Sequence, residues 1–162
     1  MAGKGRSLFK KIVLLVVAVL VVAFIVIQFF RIDTTPIPVV QADTLQAAVA
    51  VPPDVDMVLT RSCGDCHSNQ TVYPWYSKVQ PVAWWLANHI SEGRQELNMS
   101  TFNTYNARRK QKKLEAICEE IKSREMPLPS YTWGHWNAVL SDSEKDAICK
   151  WTETASAQVQ DQ

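Results

Sequence analysis

No stretch of this 162-residue chain alternates apolar and polar residues long enough to read as a strand, which excludes a sheet as its frame. It has no internal repeat and no low-complexity segment, so solenoid and compositionally disordered classes drop out. It lacks an excess of basic charge: 17 Lys and Arg stand against 16 Asp and Glu, and nothing points to nucleic acid as a partner. Acids are missing altogether before Asp33. Cysteine is scarce, four in all, and only Cys63 and Cys66 are closely spaced. The second C-x-x-C pair of a zinc site is absent, as is the βαβ context of a thioredoxin-like redox pair.

What is present begins with an apolar run. From Ile12 to Phe30 only Gln28 is polar, and nineteen residues rising ~1.5 Å each come close to the hydrocarbon thickness of a bilayer. Lys4, Arg6, Lys10 and Lys11 precede the run. By the positive-inside rule residues 1–11 stay in the cytoplasm, residues 12–30 form a single transmembrane anchor, and the rest is exported, in a bacterium to the periplasmic side of the inner membrane. The lipid bilayer is thus the first expected partner. A cleaved signal peptide is the rival, since Val40-Gln41-Ala42 offers small residues where a peptidase inspects, but the run is long for a signal and the site lies far beyond it. A helix this evenly apolar has no face for water, which disfavours a core helix. The exported part carries thirteen bases and sixteen acids, a net charge of −3.

Residues 31–52 read as a linker broken by Pro36, Pro38, Pro52 and Pro53. A folded domain is expected over 53–155, followed by a polar tail at 156–162. The domain is all-α, with about four helices. The first starts at Pro53 or Asp54 and faces Val55, Val58 and Leu59 inward. The second begins near Pro81, with Val82, Trp85, Leu86, His89, Ile90 and Leu97 at helical spacing. The third runs from about Asn106 to Arg124, with Leu114, Ile117, Cys118 and Ile121 inward. The fourth opens with Ser141-Asp142-Ser143-Glu144, a capping box, and buries Ala147, Ile148, Trp151 and Ala155.

At the end of the first of these helices stands Cys63-Gly64-Asp65-Cys66-His67, the C-x-x-C-H pattern of c-type haem attachment. Thiols at i and i+3 share one helix face and can both bond a porphyrin edge, while the following imidazole reaches the iron as the proximal ligand. A plain disulfide and half of a zinc site are the alternatives. The expected cofactor is one covalently held haem c. For the sixth position Met126, in Glu125-Met126-Pro127-Leu128-Pro129, is the favoured ligand, because two prolines keep its segment out of a helix. His89, His135, Met99 and an open site are the other options. A Met/His pair raises the reduction potential relative to bis-His ligation.

Several phrases around the motif carry a resemblance. Arg61-Ser62-Cys63-Gly64-Asp65-Cys66-His67-Ser68-Asn69, Tyr73-Pro74-Trp75-Tyr76-Ser77 and Pro81-Val82-Ala83-Trp84 resemble the bacterial haem-binding domain family of small c-type cytochromes. Glu92-Gly93-Arg94, Leu97-Asn98-Met99-Ser100, Glu125 to Tyr131 and Leu140 to Glu144 are similar to its later segments. The resemblance covers roughly residues 53–153. It implies a membrane-anchored or exported monohaem protein with Cys63, Cys66 and His67 holding the haem.

Three further features complete the reading. Cys118 and Cys149 lie on or beside apolar stripes in an oxidising compartment and are expected to pair, closing a loop of about thirty residues worth ~3–4 kcal/mol. Trp75, Tyr76, Trp84, Tyr131 and Trp133 flank the haem motif or the methionine loop and are expected to line a haem pocket. Tyr131 and Trp133 are the expected donors to a propionate. Arg108-Arg109-Lys110-Gln111-Lys112-Lys113 reads as a solvated helix face or as a docking patch for an acidic redox partner. Together these readings predict a cytochrome-c-like helical domain around one haem that passes single electrons to an unidentified redox partner and is not an enzyme. A haem-based gas sensor or peroxidase-like enzyme with a displaceable sixth ligand is the alternative.

Overall fold

A computed structural model describes residues 2–160, with side chains from Ser7 onward; Asp161 and Gln162 of the expected polar tail and the side chains of Lys4 and Arg6 lie outside the described residues. The helices are α1 (Ala2–Ile27), α2 (Leu45–Ala48), α3 (Pro53–Ser62), α4 (Gly64–His67), α5 (Val82–Glu96), α6 (Ala107–Ser123), α7 (Pro129–Thr132) and α8 (Asp142–Gln160), with short 3-10 turns between some of them. The described residues contain no strand, and the all-helical expectation holds. The chain forms two compact units: Met1–Thr34 with Tyr73–Asn88, and Thr35–Val72 with His89–Gln162.

In the first unit α1 presents Ser7–Ile27, twenty-one residues of mean hydropathy 2.9 with none buried, long and apolar enough to cross a membrane. The helix ends at Ile27, three residues short of the apolar run. Gln28, Phe29 and Phe30 instead close tighter turns, each amide donating to the carbonyl three residues back. The polar Gln28 explains the stop. Its Nε2 donates to the Phe24 carbonyl at 3.0 Å and to the Gln80 carbonyl at 3.1 Å, while its Oε1 accepts from the Gln80 amide at 2.9 Å. One glutamine thus serves orphaned carbonyls at a helix end and the backbone of a second strand of chain.

The second unit packs α6 against α8 over a core that includes Leu45, Leu59, Phe102, Leu114, Ile121, Ile148 and Trp151. The expected inward stripes are found on α3 (Val55, Val58, Leu59), on α6 (Leu114, Ile121) and on α8 (Ile148, Trp151, Ala155). Asn106 caps α6 by accepting from the Arg109 amide at 2.8 Å. The capping box of α8 is complete: the Ser141 amide donates to Glu144 Oε2 at 2.7 Å, and the Glu144 amide to Ser141 Oγ at 3.3 Å. Glu144 also pairs with Arg61 at 2.9 Å, joining α8 to α3.

Two boundaries differ from expectation. The second half of the 31–52 linker is folded: Leu45, Ala48 and Val49 are buried, and the Leu45 amide donates to the Met99 carbonyl at 2.8 Å. A single turn of helix buries these residues without the long period that would mark it in sequence. The tail is likewise part of the fold. Val159 sits in the core, and Gln158 Oε1 accepts from the Ala50 amide. Trp151 Nε1 donates to the Ala50 carbonyl at 2.9 Å, so α8 ties down the segment ahead of α3.

A disulfide joins Cys118 of α6 to Cys149 of α8, with Cα atoms 4.9 Å apart and 31 positions of separation. Replacing both cysteines by serine should lower unfolding stability by ~3–4 kcal/mol, since the bridge restricts the unfolded chain. Guanidinium unfolding of the detergent-solubilised chain measures this, and an unchanged midpoint would show that helix packing alone holds α6 to α8.

Candidate functional site

The site is built on a break in the helix. α3 stops at Ser62, Cys63 adopts φ −122° and ψ −27°, and α4 restarts for one turn. The amides of Cys66 and His67 both donate to the Cys63 carbonyl, at 3.2 and 2.9 Å, which sets the two cysteines one turn apart. Both thiols are free and half-buried. Burial first, then the neighbouring Cys66 sulfur, pushes the Cys63 thiol up to about 12, with Arg61 opposing. Burial and then Asp65 push Cys66 up to about 11, with Arg94 opposing. Both stay protonated at neutral pH, which slows the thiolate chemistry that would close them on each other.

The last turn of α5 and the residues after it grip this motif. Gly93 is the contact point: a Cβ there would lie 2.9 Å from the Cys66 carbonyl oxygen and 3.2 Å from the Cys66 Cβ. Only glycine lets the two backbones approach this closely. Arg94 reaches past the motif, its Nε donating to the Ser68 carbonyl at 2.8 Å and its Nη2 to Thr71 Oγ1 at 2.9 Å. Asn98 Nδ2 donates to Asn69 Oδ1, the Asn69 amide donates to Ser100 Oγ, and the Met99 amide donates to the His67 carbonyl at 2.8 Å.

This grip fixes the His67 ring. Its Nδ1 lies 3.0 Å from the Leu97 carbonyl. A carbonyl can only accept, so Nδ1 carries the proton and Nε2 keeps its lone pair. Burial pushes the His67 pKa below its ordinary value, with the Leu97 and Gly93 carbonyls pulling the other way. A neutral ring with one nitrogen anchored on a backbone carbonyl is the usual state of an imidazole metal ligand.

Two clefts, of about 280 and 250 Å³, share Ser62, Cys63, His67, Glu96, Met126 and Pro127 as lining. The first also touches Cys66, His89 and Tyr131, the second Leu97, Met99 and Ile117. A flat macrocycle fits this arrangement: paired thiols at one wall, an imidazole with a free nitrogen, and a thioether lining the same space. The Met126 loop is held by α6, whose Glu120 carbonyl accepts from the amides of Glu125 and Met126, both at 3.1 Å. Arg124, at φ 66°, turns the chain out of the helix to make this possible.

Of the other expected ligands, His89 lines the first cleft. Met99 lines the second but is 8% exposed and belongs to the core. His135 lines neither, its ring stacked on Tyr131 with centroids 4.2 Å apart.

The aromatic candidates fall in different places. Tyr131 lines the first cleft, but its hydroxyl donates to Asp65 Oδ2 at 2.8 Å, so its proton is committed within the motif. Trp133, the residue that follows α7, is 86% exposed and lines neither cleft. Trp75, Tyr76 and Trp84 belong to the first unit, where Trp75 meets Tyr76 edge-on at 5.9 Å. The basic run divides, with Arg108, Arg109 and Lys112 exposed. Lys110 is buried and donates to Asn103 Oδ1, Lys113 pairs with Glu96 at 3.0 Å, and Arg109 lies 4.0 Å from the centroid of the Tyr105 ring. Among the described residues no three or more His, Cys, Asp and Glu side chains gather as metal ligands, so the zinc alternative has no ligand set.

Gly93 was legible only indirectly: a glycine inside an apolar-striped helix costs ~1 kcal/mol and needs a packing reason. Nothing local marks the Leu97 carbonyl as the partner of His67.

Two outcomes follow from this geometry. Gly93→Ala should force ~1–3 kcal/mol of overpacking against Cys66 and cut the yield of haem-loaded chain, read by absorbance of the purified protein. A normal yield would show that the α5 and Cys66 backbones need not touch. For the chain without haem, unfolded His67 takes up a proton near its ordinary 6.5 while the folded ring resists it. Stability therefore declines as pH falls through that value toward the lowered folded pKa, since the unfolded state binds more protons. His67→Asn should flatten this decline in denaturant midpoints measured across the range.

The chain matches the family described as a haem-binding domain over residues 22–154. No curated protein and no solved structure matches it. The family match spans most of the chain and takes in the cysteine pair, His67, the gripping segment and the Met126 loop: the chain belongs to the haem-binding domain family.

Proposed function

We propose that this chain is a membrane-tethered monohaem c-type cytochrome, anchored by α1 in the bacterial inner membrane and passing single electrons on the periplasmic side. The observation that carries the reading is the pair of clefts that share Cys63, His67 and Met126 as lining. When bound, haem supplies a one-electron ferric–ferrous couple. Cys63 and Cys66 hold it by thioether bonds. His67 offers Nε2 to the iron, oriented by the Leu97 carbonyl on its other nitrogen. Met126, which lines both clefts, would hold the iron through its thioether, which favours a higher potential than the imidazole of His89 would. An unidentified protein exchanges electrons with the site.

Retention of the anchor is supported by two features. The family match begins at residue 22, inside α1. Val40-Gln41-Ala42 lies ten residues beyond Phe30, the end of an apolar run longer than a signal sequence uses.

Expression with a c-type maturation system, followed by oxidised and reduced absorbance spectra, tests the function. One covalent haem per chain with a ferrous spectrum indifferent to carbon monoxide is expected. A high-spin ferrous form that shifts with carbon monoxide would instead make the protein a gas sensor or peroxidase-like enzyme, and no covalent haem would end both readings. Met126→Ala should abolish the weak sulfur-to-iron band at the red end of the ferric spectrum and lower the potential, whereas His89→Ala should keep the band. Survival of the band in Met126→Ala would remove Met126 as ligand.

A further inference from the structure

The first unit holds a second concentration of chemistry. Within Tyr73–Asn88 stand Tyr73, Trp75, Tyr76, Trp84 and Trp85, with Lys78 as the sole charge and no acid. Trp75 is 78% exposed, Trp84 41% and Trp85 45%, beside Val82 at 42%. Exposed and half-exposed tryptophans are ill-suited to water but well suited to a membrane interface, where the ring is sheltered and the indole N–H keeps a hydrogen-bond partner. With one lysine and no acid, the segment also has little charge to desolvate at such a boundary.

The same segment is bound to the end of α1. Gln28 exchanges two hydrogen bonds with the Gln80 backbone, and Gln80, 1% exposed, returns one from its Nε2 to the Phe30 carbonyl at 2.8 Å. Trp84 Nε1 donates to that carbonyl too, at 3.1 Å. Phe29 and Phe30, 81% and 62% exposed, stand at the junction. The aromatic segment is therefore held where the apolar helix ends, which is where a bilayer's hydrocarbon gives way to headgroups.

We propose that Tyr73–Asn88 is a membrane-interface collar, seated at the boundary of acyl chains and headgroups and held to the exit of α1 by the Gln28–Gln80 clasp. This rests on the reading that α1 spans the bilayer. The collar adds a second lipid contact, distant in sequence from the anchor, and gives Trp75, Trp84 and Trp85 a role outside the haem pocket.

Photo-crosslinking of the full haem-loaded chain in phosphatidylcholine–phosphatidylglycerol nanodiscs tests it, with a diazirine placed near the top of the lipid acyl chain and adducts mapped by mass spectrometry. Adducts are expected on α1 and on peptides from 73–88. Adducts on α1 alone overturn the collar while leaving the anchor intact. Absence from both overturns the anchor itself. Trp75→Ser with Trp85→Ser should lose most of the adducts on 73–88 and none on α1, with the haem spectrum unchanged as the control for folding. Gln28→Leu should also lose them, and undiminished adducts in that variant would remove the clasp as what holds the collar.

Discussion

The backbones of α5 and the cysteine–histidine motif meet at Gly93 with no side chain between them, and the rest of the haem site depends on that approach. With α5 this close, Arg94 can span Ser68 and Thr71, and the chain leaving the helix can bring the Leu97 carbonyl onto His67. Each contact fixes a different degree of freedom: the position of α4, the path of the loop beyond it, and the rotation and tautomer of the imidazole. A shift of α5 by the width of a methyl group would disturb all of them together, because close-packed interiors transmit displacement rather than absorb it.

The other side of the clefts comes from elements fastened in another way. α6 and α8 are packed through Leu114, Ile121, Ile148 and Trp151 and bridged by Cys118–Cys149. From the end of α6 the Glu120 carbonyl holds the amides of Glu125 and Met126. A small helical unit has limited core to stabilise it, so a covalent bridge close to the methionine loop steadies the part of the site that carries no regular structure of its own.

The first unit solves a separate problem, the ending of a long apolar helix. Gln28 does so by serving the Phe24 carbonyl of α1 and the backbone of Gln80 at once. The polar residue that interrupts the hydrophobic run is thus the one that terminates the helix and recruits an aromatic segment from fifty residues away. Trp75, Tyr76 and Trp84 belong to this unit, and composition alone does not say which surface a tryptophan covers.

The amino-acid sequence alone determined what depends on near neighbours. Helical stripes on α3, α6 and α8, the Ser141–Glu144 box, the one-turn spacing of Cys63 and Cys66, and the uninterrupted apolar stretch of α1 all follow from spacings within a turn or two. Tertiary structure decided whatever depends on partners far apart along the chain. It buried Leu45 and Val159 from segments that read as linker and tail, committed the Tyr131 hydroxyl to Asp65, turned Lys110 inward to Asn103, and chose Leu97 to hold His67. The physical reason is that local spacing sets which face of an element is apolar, whereas a hydrogen bond to a backbone carbonyl is indifferent to the residue type that offers it, so only the fold can say which carbonyl arrives.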